Sequence, residues 1–159
     1  MRKNVLLLLL GMTLALVMCA CGTSQTEEPN TETKAIETET EGTDPEMKLL
    51  IDGQETAVEW ENNEAVAALR KQVKEQALTI DMSMYGDFEQ VGELGVDLPA
   101  DDTQTETEAG DIMLYAGDKI VLFYGQNSWA YTRLGKIKDT TQEDMTELLG
   151  RHNVTVTLK

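Results

Sequence analysis

Cysteine is almost absent. Of 159 residues only Cys19 and Cys21 carry a thiol, so nothing after position 21 can form a disulfide, a thiolate nucleophile or a cysteine metal site. Histidine is as scarce. His152 stands alone, and a Ser-His-Asp triad would have to join it to Ser83 or Ser128, neither of which sits in a nucleophile elbow. Positive charge is short too: 13 Lys and Arg face 29 Asp and Glu, a formal net charge of -16. Such a chain repels nucleic acid phosphates and anionic lipid headgroups, so any membrane association must come from an apolar anchor. Phosphate-cradling loops, dinucleotide fingerprints, zinc-helix motifs and calcium-loop spacings are all missing. The sequence implies no cofactor and no metal.

What is present begins with a leader. Arg2 and Lys3 precede an apolar run from Val5 to Met18, broken only by Gly11 and Thr13. As a helix these residues span about 21 Å, short of a hydrocarbon core of about 30 Å, which fits an export signal rather than a permanent span. The run ends Val17-Met18-Cys19-Ala20-Cys21-Gly22, which resembles the bacterial lipobox. The resemblance implies removal of residues 1–20 and acylation of the Cys21 thiol, palmitate among the acyl chains. Such chains hold a protein to the cell membrane on its extracytoplasmic face. Secretion without lipid is the plainer alternative.

Residues 22–46 carry eight acidic side chains and one lysine, with Ile36 as their only large apolar residue. This stretch cannot bury enough surface to offset its ordering entropy, and reads as an acidic tether. Residues 47–159 read as one domain. Met47 to Ile51 is a short apolar strand, Asp52-Gly53 a turn, and Gln54 to Trp60 a second strand. Asn62 or Asn63 caps a helix running to about Gln76, with Val66, Leu69 and Val73 on one face. Leu78, Ile80, Met82 and Met84 alternate with polar residues in a half-buried strand. The glycine-punctuated stretch Tyr85–Gly95 reads as tight bends, and residues 100–108 as a polar loop. Ile112–Tyr115 and Ile120–Tyr124 form a hairpin around Ala116-Gly117-Asp118-Lys119. Trp129–Ile137 is a further strand, Thr141–Leu149 a helix with a capping-box pattern, and Asn153–Leu158 a closing strand. Short strands separated by turns imply a mainly β fold: a closed barrel of about eight strands with two short helices.

Three segments resemble the bacterial cyclophilin-like proteins. They are Tyr85-Gly86-Asp87-Phe88 with Gly92-Glu93-Leu94-Gly95, then Gly110–Tyr115, then the run Phe123-Tyr124-Gly125-Gln126-Asn127-Ser128-Trp129-Ala130-Tyr131-Thr132-Arg133-Leu134-Gly135-Lys136-Ile137. The resemblance covers residues 47–159 and implies a barrel related to that of the prolyl isomerases. Those enzymes bind a proline peptide in an apolar groove, where an arginine and a glutamine polarise the amide. Gln90 follows Phe88 here, but no arginine lies between Lys74 and Lys119.

Arg133 shares a strand face with Tyr131, so its planar guanidinium can hold a ligand carboxylate or an acidic side chain of the domain itself. Asp111 reads as a turn cap, and His152 as an exposed loop residue. These residues give two readings. In the first, a lipid-anchored, non-catalytic module binds a peptide or small ligand through Phe88, Gln90, Trp129, Tyr131 and Arg133. In the second, it is a prolyl isomerase assisting extracytoplasmic folding. A passive envelope protein that docks on a partner is the third possibility.

Overall fold

The computed structural model describes residues 46–159, so the leader, the Cys21 lipid site and most of the acidic tether lie outside the described residues. The elements run in chain order as β1 (Leu49–Ile51), β2 (Gln54–Thr56), β3 (Val58–Trp60), α1 (Glu64–Glu75), β4 (Leu78–Tyr85), β5 (Glu89–Glu93), β6 (Thr103–Thr107), β7 (Asp111–Tyr115), β8 (Lys119–Phe123), β9 (Asn127–Ile137), α2 (Gln142–Leu149) and β10 (Asn153–Leu158). Nine strands pair antiparallel in the order β2-β1-β10-β4-β5-β8-β7-β9-β3, and β6 adds to β9 off this path. The two ends of the path, β2 and β3, are separated in the chain only by Ala57. The sheet therefore nearly closes on itself. If β2 and β3 count as one broken strand, nine strands become eight staves, as the alternation pattern implies.

Local chemistry accounts for the bends. Asp52-Gly53, Gly86-Asp87 and Ala116-Gly117 all have positive φ at both positions. That is the type I′ geometry whose twist matches two antiparallel strands. Both helices are capped by side chains. Asn63 accepts the Val66 N–H at 2.9 Å, and Thr141 forms a reciprocal capping box with Asp144. Gly135 allows β9 and β3 to meet, because a Cβ there would stand 2.6 Å from the Glu59 carbonyl oxygen.

Strand alternation sorts side chains into two apolar layers. Even-numbered residues of β4, β7, β8 and β10 (Ile80, Met82, Ile112, Leu114, Ile120, Leu122, Val154, Val156, Leu158) fill the barrel together with Leu69 of α1 and Met145 and Leu149 of α2. Odd-numbered residues point outward. There Met113, Val121, Phe123 and Tyr131 form a second, smaller cluster, with Phe88 and Val91 packed against it. Every member of both clusters lies between Met47 and Leu158, so this unit carries its own core.

Two segments differ from the sequence expectation. The glycine-rich stretch contains a true strand, β5, and the polar loop contains β6. Gly92 of β5 faces the crowded interior, where a Cβ would run into Ile80 and Met82, so the glycine serves strand packing rather than a bend. β6 is held by its pairing with β9 from Thr103↔Tyr131 to Thr107↔Asn127, which needs no apolar side chains.

Candidate functional site

Val121 and Tyr131 of the outer cluster, with Phe88 and Val91 packed against it, line a cleft of about 740 Å³. β4, β5, β7, β8 and β9 contribute side chains to it, mostly at outward, odd-numbered positions: Asp81, Ser83 and Tyr85; Glu89, Val91 and Glu93; Tyr115; Lys119 and Val121; Asn127, Trp129 and Tyr131. Phe88 at the β4–β5 turn closes one end. Its carbonyl accepts the Tyr124 and Gly125 N–H groups, both at 2.9 Å, which ties the turn to the end of β8.

The walls are aromatic. Tyr85, Tyr115 and Trp129 are 67%, 37% and 57% exposed, and they are the exposed large hydrophobic residues among those described. All three line this one cleft. Tyr131 lies beneath them, edge-on to Tyr115 at 6.0 Å and to Phe123 at 5.5 Å between ring centroids. Such edge-to-face pairs fix ring orientation as well as burying area.

The polar centre of the cleft is Glu89. It is only 5% exposed, and Tyr131 Oη donates to its Oε2 at 3.5 Å while accepting from Asn127 Nδ2 at 3.0 Å. Burial pushes the Glu89 carboxyl up to about 7 against the pull of that Tyr131 hydrogen bond. Burial and the nearby Glu89 charge push the Tyr131 phenol up to about 12. The ammonium of Lys119, the cation lining the cleft, is 2.7 Å from Asp118 and 3.4 Å from Glu93, and its pKa is raised chiefly by the Asp118 hydrogen bond. A buried carboxyl that titrates near neutrality beside a hydroxyl and apolar walls can bind a polar or charged group, or exchange a proton with one.

Of the five residues singled out from sequence, Phe88, Trp129 and Tyr131 meet in this cleft. Gln90 does not line it. β5 turns Gln90 inward, where its Nε2 donates to the Leu149 and Arg151 carbonyls at 2.7 and 2.8 Å and holds the end of α2. The Leu149 carbonyl, at the last residue of α2, also accepts the Arg151 N–H at 2.8 Å. Arg133 lies two residues beyond Tyr131 on β9, also outside the cleft lining, with its guanidinium 2.8 Å from buried Asp111. Asp111 caps the preceding turn by accepting the Glu108 N–H at 3.0 Å. Glu89 and Tyr85 were not singled out from sequence. Alternation of Glu89, Val91 and Glu93 is the signal that places the glutamate on the outward face, and it is legible only once the glycine-rich stretch is read as a strand. Among the described residues no group of three or more His, Cys, Asp or Glu could hold a metal ion.

A search of curated proteins returned no match. Among solved structures, the chain is similar to the solution structure of a hypothetical protein from Archaeoglobus fulgidus, at 17% identity and a TM-score of 0.49. That alignment covers 71% of this chain and 92% of the other. The sequence profile described as the cyclophilin-like family matches residues 49–159, most of the chain and all twelve elements of the barrel, and the chain belongs to that family.

Proposed function

We propose that this barrel is a non-catalytic binding module, tethered outside the cell by lipid on Cys21, which takes a small ligand or a peptide side chain into the outer-face cleft. The observation that carries the reading is the gathering of Tyr85, Tyr115 and Trp129 around a buried, polar Glu89. Exposed aromatics scattered singly need no explanation, but three around one concave site with a polar centre form the usual composition of a ligand pocket. The arrangement does not favour isomerisation, because the cation in the cleft is Lys119, held by two carboxylates rather than aimed at a substrate amide. A volume of about 740 Å³ suits a ligand of modest size.

The test is a screen of a mixed library of cationic, neutral and anionic fragments by thermal stabilisation of residues 46–159. A ligand that binds the folded state raises the melting temperature in proportion to its occupancy. Hits are expected to lose their effect when Tyr85 and Trp129 are both replaced by serine, a change on exposed side chains that leaves the core intact. Hits that stabilise the double variant equally well would place binding elsewhere and overturn the proposal.

A further inference from the structure

The binding reading leaves the ligand's chemical class open, and the charges in the cleft narrow it. Three carboxylates, Asp81, Glu89 and Glu93, line the cleft against one lysine. Lys119 is already engaged with Asp118 and Glu93. Asp81 and Glu89 make no ion pair among the described residues, and Glu89 is 5% exposed with a single hydrogen bond, the 3.5 Å contact from Tyr131. Burial without a counter-charge disfavours the carboxylate form of Glu89, so it holds its proton to about pH 7, and an arriving cation would favour ionisation. The rings around it belong to Tyr85, Tyr115, Trp129 and Tyr131, and aromatic faces attract ammonium groups through their quadrupoles. An anionic ligand would be repelled by Asp81 and Glu89, and a neutral one would leave Glu89 without a counter-charge. The net charge of -16 adds a long-range pull on cations.

We propose that the cleft takes an organic cation, an alkylammonium group seated between Tyr85, Tyr115 and Trp129 with Glu89 as its counter-ion. This rests on the binding reading above and specifies its ligand. The same headgroup chemistry is supplied by a free quaternary amine or by a lysine side chain of a peptide.

The experiment is calorimetric titration of residues 46–159, which carry their own core, with two matched pairs. One pair is choline and its uncharged isostere, in which a tert-butyl group replaces trimethylammonium. The other is an N-acetylated lysine amide and its norleucine counterpart. At least one cation is expected to bind about tenfold or more tighter than its neutral partner, a preference of about 1.4 kcal/mol. Choline alone showing it identifies a small amine as the source, and the lysine amide alone a peptide. Glu89→Gln should bring charged and neutral members within about threefold of each other, and Trp129→Leu should weaken the cation with the fold unchanged. Equal affinity of charged and neutral members in the unaltered protein overturns the inference and leaves the binding reading standing. Absence of binding by all four compounds also overturns the inference, and the fragment screen then decides the binding reading separately.

Discussion

Replacement of Glu89 by glutamine should make the protein more stable at neutral and alkaline pH. The buried carboxyl holds its proton up to about pH 7, against an ordinary value of 4.5. Between those values the folded chain binds more protons than the unfolded chain, so stability falls as pH rises through that window and levels off above it. A shift of that size corresponds to about 3 kcal/mol at most, and water in the open cleft screens part of it, leaving an expected cost of about 1–2 kcal/mol. Glutamine keeps the shape and can still pair with Tyr131, but it carries no charge. The other groups facing Glu89 do not blur the experiment. Tyr131 stays neutral with its pKa near 12, Tyr85 of β4 is a phenol, and Lys119 stays charged beside Asp118. Asp81, Glu93 and the exposed His152 are common to both proteins and cancel in the difference. Thermal unfolding of both proteins from pH 4 to pH 8.5 should show curves that coincide near pH 4.5 and separate by roughly 4–8 °C above pH 7, with the variant higher. A variant that is less stable at pH 8, or a separation that does not change with pH, would refute the assignment of Glu89 as a buried acid without a counter-charge.

Other expectations follow from the same geometry. Gly135→Ala should cost about 1–3 kcal/mol in denaturant unfolding, because the new methyl group meets the Glu59 carbonyl at the β3–β9 closure. Gln90→Ala removes two hydrogen bonds to carbonyls at the end of α2 and should cost about 1–3 kcal/mol, speeding amide exchange in α2 while leaving ligand affinity in the cleft unchanged. A proline-peptide isomerisation assay on the folded domain should show no catalysis, and clear turnover would replace the binding reading with the enzymatic one. Cys21→Ser in the full chain should move the protein from the membrane to the soluble fraction, and unchanged partitioning would remove the lipid anchor from the account.

The barrel was legible in the sequence wherever local chemistry and burial agree. Leu78 to Met84 alternates because one face of β4 is core, and Asp52-Gly53 and Ala116-Gly117 mark hairpins because positive φ is needed there. Thr141 and Asp144 announce α2 by their capping pattern. β5 and β6 were hidden for opposite reasons. Gly92 in β5 suggests a bend by its type, whereas only crowding from Ile80 and Met82 of the neighbouring strand β4 shows its real purpose. β6 (Thr103–Thr107) is polar along its length and becomes a strand only through backbone pairing with β9. The site suffered from the first omission. Read as a glycine-bent loop beside the aromatic strand, the stretch puts Phe88 and Gln90 at one surface, but the alternation of β5 sends Gln90 to the α2 end of the barrel and Glu89 into the cleft. The aromatic strand was easier, since Trp129 and Tyr131 lie two apart on β9 and share its outer face. Arg133 continues that face, and its ion pair with Asp111 could be known only from the register between β7 and β9.

A backbone and side-chain NMR map of residues 46–159, titrated with whichever fragment or amine binds best, locates the binding site. The large shifts should gather at Tyr85, Glu89, Tyr115, the Trp129 indole and Tyr131, and leave Gln90 and Arg133 little changed. Shifts gathered instead in a separate groove lined by Gln54, Glu55, Thr56 and Ala57 and by Asp144 and Leu148 of α2 would contradict binding in the outer-face cleft.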